Sequence, residues 1–296
     1  MEPLLVDVVR GGTLESRHRV HAVALQDGAV AAVAGDSGLV TFMRSAAKPL
    51  QALPLARARE DLSDAQLAIA CASHLADDAQ LAAVRSLLAA APASAEELEC
   101  GPAGHPPERL KHNCSGKHAG MLALCRARGW ESQGYRLPDH PAQESMLEQV
   151  AVAAGLEAST IPTAVDGCGV VTFALSLECM AVAFSRLTRL DGGERVSASM
   201  RARPELTRGE GAADTELMRA LPGWVAKGGA EGLFCAAAPD GTGVALKCED
   251  GNGRVLKPAL ATLLGRIGIT VDHSFTHISV HNSRGEVVGE ITAAGG

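Results

Sequence analysis

The sequence LVTFMRSAAKP, residues 39–49, joins a predicted strand to a predicted helix and places a serine and a lysine at the junction. The apolar residues from Leu39 to Met43 favour a short strand, and a helical pattern follows to about Arg59. Ser45 and Lys48 stand three positions apart, a spacing at which two helical side chains share a face. A lysine whose pKa is lowered by burial or by a second cation can take the proton of such a serine. A helix start with a solvated lysine also explains the spacing.

The predicted strands lie near the two ends of the chain, and helices fill the middle. Residues 20–25 and 29–33 flank Gln26-Asp27-Gly28, and a second hairpin signal surrounds Asp240-Gly241. A last strand is predicted near residues 286–292. No glycine-rich fingerprint and no strand–helix alternation indicates a doubly wound sheet. The pattern predicts an α/β protein of the α+β type, with a sheet formed by both chain ends and covered by a helical region.

Two stretches in the second half of the chain have no strand signal. The apolar run from Val170 to Phe184 is too short for a membrane span, and Ser176 and Glu178 make it too polar for one. We predict a buried helix there. The polar, Arg-rich stretch from Leu190 to Gly211 predicts a surface excursion or a short linker.

Composition excludes several classes of function. The chain has 296 residues, of which 47% are hydrophobic and 21% charged, as in soluble globular proteins. Its net charge of −7 provides no basic patch, so we expect neither a nucleic-acid partner nor a membrane partner. The first residues lack an export signal, which predicts a cytoplasmic protein. The eight cysteines are then expected as thiols, mostly in the core, with a subset available for metal.

Three further clusters contain residues suited to chemistry. In CASH, residues 71–74, Ser73 is a hydroxyl relay or simply a helix end. In AKGGAEG, residues 226–232, Lys227 precedes glycines whose amides can hold an oxyanion or a carboxylate, or which form only a turn. In KHNCSGKHAG, residues 111–120, and DGCG, residues 166–169, thiols and nitrogen ligands fit zinc, although core thiols explain them too.

With RSAAKP, residues 44–49, these segments resemble the signature segments of the rhizobial-type L-asparaginase family, also called asparaginase II. The five segments occur in the family's order, and the resemblance extends from about Val20 to Gly289. The segment HNCSGKHAG is long and unusual enough to be specific. The resemblance implies one catalytic domain, residues 1–296, with a serine β-lactamase-like fold that hydrolyses L-asparagine to L-aspartate and ammonia.

The resemblance also implies roles for individual residues. Ser45 with Lys48 matches the first Ser–Lys pair of the family, and Ser73 with Lys227 the second. We expect Ser45 to be the nucleophile and Lys48 its base, with Ser73 relaying protons and Lys227 stabilising charge. The assignment of the second lysine depends on alignment, and Lys247 is the alternative.

The remaining matched residues surround the substrate or a metal ion. Arg44 suits the α-carboxylate of asparagine and Asp166 its α-ammonium group. His118 and Gly228 are also expected beside the substrate. The residues that match the family's zinc ligands are Cys114, Lys117 and Cys168. Zinc in this family is structural or orients the substrate, and a lysine ligand must be neutral.

The chain departs from the family in two places. After Ser73-His74 the family usually continues with Gly-Glu, whereas this chain has Leu75-Ala76-Asp77-Asp78. The stretch from Leu187 to Lys227 is shorter than usual, which bears on a subunit contact of the homodimer that the resemblance implies.

Three functions are consistent with these residues. The first is an L-asparaginase. The second is another Ser-Lys acyl hydrolase, such as a glutaminase or a penicillin-recognising enzyme; the missing Ser-Asp-Asn element and export signal count against the latter. The third is a zinc-dependent amino-acid-binding protein without catalysis, which the altered segment after Ser73 allows.

Overall fold

A computed structural model describes residues 1–295 of the protein. Its strands are β1 (Leu4–Arg10), β2 (Thr13–Gln26), β3 (Ala29–Ala34), β4 (Val40–Phe42), β5 (Thr163–Val165), β6 (Val171–Ser176), β7 (Val225–Gly228), β8 (Leu233–Ala237), β9 (Gly243–Cys248), β10 (His277–His281) and β11 (Val287–Ala293). Its α-helices are α1 (Lys48–Gln51), α2 (Leu53–Ala58), α3 (Asp64–Ala70), α4 (Asp78–Ala90), α5 (Ser115–Arg128), α6 (Pro141–Ala154), α7 (Leu177–Arg186), α8 (Gly193–Ala202), α9 (Pro204–Thr207), α10 (Ala213–Ala220), α11 (Leu256–Arg266) and α12 (His273–Thr276).

The main sheet brings the two ends of the chain together. Within residues 1–295 it has eight strands in the order β10-β11-β1-β2-β9-β8-β7, and β3 pairs with β2 beside this path. The pairs are antiparallel, and Val6 in β1 faces Ala293 in β11. The hairpin predicted at Gln26-Asp27-Gly28 is confirmed, as is the one around Asp240-Gly241. The expected α+β fold, with an antiparallel sheet formed by both chain ends, is therefore present.

Helices cover both faces of this sheet and form a separate layer beside it. Every residue of β9 is buried, because α7 and α11 both pack against this strand. The helical layer is built around α3, which contacts α4, α5, α8 and α9. A Cβ atom at Gly116 in α5 would lie 2.1 Å from the carbonyl oxygen of Ile69 in α3. Glycine is therefore required for the close approach of these two helices.

The prediction of one buried helix over residues 170–184 is wrong in its first half. β6 pairs with β4 on one side and β5 on the other, in a second sheet. Its residues Val171, Thr172 and Phe173 are β-branched or aromatic, and such side chains favour strands. The hydroxyl of Ser176 then accepts a hydrogen bond from the amide of Cys179 at 3.2 Å and begins α7. An apolar run of this kind does not by itself distinguish a buried strand from a buried helix.

The prediction of a surface excursion or linker over residues 190–211 is also wrong. The stretch forms α8 and α9, which pack against the helical layer. The guanidinium of Arg195 donates hydrogen bonds to the carbonyl oxygens of Ala56, Arg59 and Leu62. Its positive charge therefore satisfies the carbonyl groups after α2. None of the helices in residues 1–295 is long and apolar enough to cross a membrane.

Candidate active site

The chain enters the site through a strained turn between β4 and α1. Arg44 has a φ of +49°, a left-handed backbone conformation that is uncommon for residues other than glycine. The amide of Arg44 donates to the hydroxyl of Thr172 at 3.2 Å, which helps to hold this conformation. A 3-10 helix over Arg44–Ala47 follows, and it leaves Ser45 half-buried. Strained backbone of this kind is often found where a functional side chain must be presented.

Lys48 lies at the centre of the site and is fully buried. Its Nζ atom is 3.0 Å from Oγ of Ser73 and 3.2 Å from Sγ of Cys114, and it also donates to the carbonyl oxygen of Ala72. Burial is the main cause that lowers the pKa of Lys48, although the charge on Cys114 opposes this effect.

The hydroxyl that Lys48 reaches differs from the one that the three-residue spacing predicts. Among residues 1–295, no side-chain hydrogen bond joins Lys48 to Ser45, although the backbone amide of Lys48 donates to the carbonyl oxygen of Ser45. The 3-10 helix ends at Ala47, and Lys48 turns inward to the end of α3, whereas Ser45 stays half-buried. The structure thus pairs the first lysine with the second serine.

Ser73 is fully buried where the chain leaves α3. Its amide donates to the carbonyl oxygen of Thr207 at 2.8 Å, and its own carbonyl accepts from Arg208 at 3.4 Å. The neighbouring His74 is buried too, and its Nε2 atom lies 2.8 Å from Oγ of Ser115. Burial lowers the pKa of His74 to about 4, so this imidazole is neutral.

The second lysine of the site is Lys227 in β7, which is also fully buried. Its Nζ atom donates to Oδ2 of Asp214 at 3.2 Å and to the carbonyl oxygen of Gly228 at 2.8 Å. Burial lowers the pKa of Lys227 to about 8; the carboxylate of Asp214 opposes the shift, and the charge of Lys48 adds to it. The ammonium of Lys247 instead donates to the carbonyl oxygen of its neighbour Cys248. Of the two candidates, Lys227 is therefore the lysine beside Lys48.

The glycines after Lys227 do not offer free amides. The amide of Gly228 donates to Oδ2 of Asp214 at 2.8 Å, and that of Gly229 donates to the carbonyl oxygen of Leu233 at 2.8 Å. Among the described residues the amide of Ser45 donates no hydrogen bond. Of these three amides, the one free to bind an oxyanion is thus that of Ser45 rather than those of the glycines named from sequence.

Cys114, Lys117 and Cys168 form a buried cluster beside Lys48. Nζ of Lys117 is 3.2 Å from Sγ of Cys168, and Nζ of Lys48 is 3.2 Å from Sγ of Cys114. The neighbouring Cys168 thiol is the main cause that lowers the pKa of Cys114, assisted by the charges of Lys48 and Lys117, whereas the Cys114 thiol raises the pKa of Cys168. These surroundings favour the thiolate form of Cys114 over that of Cys168.

The donors of this cluster fit a zinc ion. Two sulfur atoms and an amine nitrogen are ligand types that Zn²⁺ accepts, and they come from the first turn of α5 and from the loop after β5. Metal binding would displace the proton of Lys117, as it displaces the proton of a thiol.

Another group of residues with metal-binding side chains lies on the main sheet. Ligand atoms of His18, Cys248 and Asp250 are within 4.8 Å of one another. Their hydrogen bonds are already satisfied, because Oδ2 of Asp250 is 2.6 Å from Nδ1 of His18 and Oδ1 is 2.9 Å from Sγ of Cys248. Arg254 lies 3.1 Å from Nε2 of His18 and can only donate, so Nδ1 carries the imidazole proton. The group is a second candidate metal site, on the main sheet.

An ion pair borders the site on the side of the second sheet. Nε of Arg44 donates to Oδ1 of Asp166 at 2.6 Å, and the same oxygen accepts from the amide of Gly167 at 2.7 Å. Asp166 follows β5, and Arg44 follows β4. Opposite charges at a fixed position can bind the carboxylate and ammonium groups of an α-amino acid.

His118 and Tyr135 form a buried pair on the other side of the cluster. The phenol oxygen of Tyr135 lies 2.7 Å from Nδ1 of His118 and accepts from the amide of Glu99 at 2.7 Å. Nε2 of His118 is buried and has no hydrogen-bond partner among the described residues.

Sequence reasoning missed Asp214 and Tyr135. Asp214 stands in the helical pattern from 214 to 225 as one more acidic residue of a first turn. Tyr135 is the single tyrosine of the chain, and its rarity was the one available signal.

Serine and lysine side chains that meet in a buried site are typical of acyl hydrolases. The sequence profile of the L-asparaginase II family matches residues 6–293 of the chain, and the protein belongs to this family of amidohydrolases. A search of curated proteins finds no match to the chain. The expected family is therefore confirmed over nearly the whole sequence.

Proposed function

We propose that the protein hydrolyses the side-chain amide of L-asparagine to give L-aspartate and ammonia through an acyl-enzyme intermediate. The observation that supports this most is the contact of Lys48 with Ser73, 3.0 Å long, in a buried site of an L-asparaginase II family member. It connects a proton acceptor to Ser73, one of the two serines that the family resemblance predicts to be catalytic.

Ser45 is the proposed nucleophile. It is half-buried and follows the strained Arg44, whereas Ser73 is fully buried and is held by Lys48. A substrate therefore reaches Ser45 more readily than Ser73. Ser73 then passes the proton of Ser45 to the neutral amine of Lys48, which burial favours.

Charge that develops on the amide oxygen needs a donor that is already oriented. The amide of Ser45 fits this role because its hydrogen is not used within residues 1–295. Lys227 contributes a positive charge at longer range, since Asp214 holds it in place beside Lys48. Lys48 is the proposed proton donor to the leaving ammonia.

The pair Arg44–Asp166 is the proposed binding site for the amino-acid end of the substrate. The α-carboxylate binds the unused guanidinium N–H groups of Arg44, and the α-ammonium group binds the carboxylate of Asp166. His118 and the backbone of Gly228 are the other proposed contacts of the substrate. The ion pair supports this proposal because its two charges are fixed at 2.6 Å from each other.

Zinc is the proposed cofactor, held by Cys114, Lys117 and Cys168. When bound, it supplies positive charge that orients the substrate and stabilises the site. The residues of the chain that hold it also adjoin Lys48 through Cys114, so the position of the base depends on this cluster.

Three broader proposals follow from the family. The antiparallel sheet with helices on its faces is consistent with a serine β-lactamase-like fold, and the match over residues 6–293 supports one catalytic domain. A homodimer is implied by the resemblance, and light scattering on the purified protein tests it.

Ammonia release from L-asparagine and L-glutamine, with and without a chelator, tests the proposed function. We expect release from asparagine that disappears in Ser45→Ala. Full activity of Ser45→Ala would contradict the nucleophile assignment, whereas activity on glutamine alone would identify a glutaminase. Calorimetric binding of asparagine without ammonia release would identify a binding protein instead.

A further inference from the structure

We propose that Tyr135 is a positioning residue that fixes His118 as its Nε2–H tautomer and so directs a hydrogen-bond donor at an oxygen atom of the bound substrate. The identity of that substrate rests on the proposed function. The tautomer itself rests only on the contacts of Tyr135 and His118, and it can be measured without substrate.

The direction of the hydrogen bonds around Tyr135 follows from its two partners. The amide of Glu99 can only donate, so the phenol oxygen accepts this hydrogen at 2.7 Å. The phenol proton must then go to an acceptor, and within residues 1–295 the acceptor in reach is Nδ1 of His118 at 2.7 Å. Nδ1 is therefore unprotonated, and the single proton of a neutral imidazole lies on Nε2.

Burial keeps the phenol in the protonation state that this direction requires, because it raises the pKa of Tyr135 and the phenol keeps its proton. The edge-on contact of the two rings, with their centres 5.5 Å apart, leaves Nδ1 pointed at the phenol oxygen.

The resulting Nε2–H group is buried without an acceptor. His118 is fully buried, and no acceptor contacts its Nε2 atom among the described residues. A buried donor without an acceptor is uncommon in folded proteins because its lost hydration is not replaced. His118 lies in α5 one turn after Cys114, and its amide donates to the carbonyl oxygen of Cys114 at 3.0 Å. An amide or carboxylate oxygen of a ligand in this site would supply the missing acceptor.

A metal ion on Nε2 is the competing interpretation, and it requires the opposite tautomer. Nδ1 would then donate to the phenol oxygen, which already accepts from Glu99. The phenol proton would be left without an acceptor among the described residues. The two interpretations therefore differ in which imidazole nitrogen carries the proton.

Long-range proton–nitrogen NMR on the uniformly ¹⁵N-labelled full chain measures this tautomer directly. The signals of His118 are those that disappear in His118→Gln. We expect a protonated Nε2 and an unprotonated Nδ1 in the wild type, and a gain of the Nδ1–H form in Tyr135→Phe. A wild-type Nδ1–H tautomer, or a tautomer that Tyr135→Phe leaves unchanged, would overturn the proposal. If Tyr135→Phe does not fold, the wild-type tautomer decides the question alone.

Steady-state kinetics then tests what the donor does. Tyr135→Phe should raise KM for asparagine about tenfold, with kcat changed less than about threefold, because the lost contact stabilises bound substrate and transition state alike. His118→Gln keeps an N–H donor near the position of Nε2, so its KM should stay within about threefold of the wild-type value. His118→Leu has no such donor, so its KM should rise by more than this. Equal KM values for Gln and Leu at this position would overturn the donor role. The proposed function fails if neither the wild type nor any variant releases ammonia from asparagine. If NMR still finds the Nε2–H tautomer in that case, the role of Tyr135 in positioning His118 stands.

Discussion

Lys48 and Lys227 are both fully buried, yet their surroundings differ in a way that separates two roles. Lys48 contacts a serine hydroxyl, a thiol and a backbone oxygen. Lys227 contacts a carboxylate and a backbone oxygen, and within residues 1–295 it contacts no hydroxyl. Burial lowers the pKa of both lysines. A hydroxyl partner can transfer a proton, whereas a carboxylate partner fixes a charge, so the difference indicates a base at Lys48 and a fixed cation at Lys227.

The largest expected effect is on the Lys48 side. Lys48→Met should lower kcat for asparagine by about 10³-fold or more, because the proposed general base is removed. The matched control is Lys247→Met, which removes a buried lysine whose ammonium donates to the carbonyl oxygen of Cys248. Ammonia release measures both variants. Similar losses in both would show that lysine burial, rather than the contact of Lys48 with Ser73, explains the effect.

The second prediction concerns stability on the Lys227 side. The pKa of Lys227 is about 8 in the folded protein, below the ordinary lysine value of 10.5. Between these two pH values the unfolded chain binds a proton that the folded chain does not, so this lysine makes stability rise with pH, by about 3 kcal/mol in all. Below about pH 8 both states are protonated, and the full penalty is present.

Urea unfolding of wild type and Lys227→Met from pH 7 to pH 11 measures this contribution. The wild type should gain stability relative to the variant as the pH rises through the window. The titration of buried thiols is common to both proteins and cancels in the difference. If the difference in the free energy of unfolding between the two proteins does not change with pH, the pKa of Lys227 is not lowered in the folded protein.

The third prediction concerns whether the metal ion binds beside Lys48. Cys114→Ser should weaken zinc binding by about 100-fold or more, because it removes a thiolate ligand. Cys248→Ser is the matched control, since it alters the group of His18, Cys248 and Asp250 on the main sheet. Zinc content after dialysis measures both. Loss of zinc in Cys248→Ser, with zinc retained in Cys114→Ser, would move the metal site to the sheet.

The smallest expected effect is at the partner of Lys227. Asp214→Asn should lower kcat/KM about tenfold and move the basic limb of the pH profile to lower pH, because loss of the carboxylate lowers the pKa of Lys227 further. Asp191→Asn is the control, since Asp191 is exposed and lies in a surface ion pair. An unchanged basic limb in Asp214→Asn would show that the charge of Lys227 does not contribute to the rate.

Local patterns predicted the elements around the site but not the contacts between them. The strand before Ser45 and the helical pattern after it follow from apolar periodicity, and their presence is confirmed by β4, α1 and α2. The contact of Lys48 with Ser73 joins residues 25 positions apart, and that of Lys227 with Asp214 joins β7 to α10. Such contacts depend on how helices pack, which a single sequence does not show.

The two wrong element predictions have physical causes of the same kind. Residues 171–176 form a strand because neighbours on both sides bury it, and burial on all sides removes the alternation that marks most strands. The sequence alone suggests that Arg195 is a surface residue. In the structure its guanidinium donates to carbonyl oxygens of residues 56–62, which are distant from it in the sequence. The family, by contrast, was predicted from five segments because each is a local sequence motif.

The central claim is that Ser45 attacks the substrate while Lys48 takes its proton through Ser73. Rapid acid quench of the enzyme during asparagine turnover, followed by peptide mapping with mass spectrometry, tests this most directly. We predict an aspartyl ester on the peptide that contains Ser45, absent in Ser45→Ala and strongly reduced in Lys48→Met. An ester on the peptide that contains Ser73 would contradict the assignment of the nucleophile.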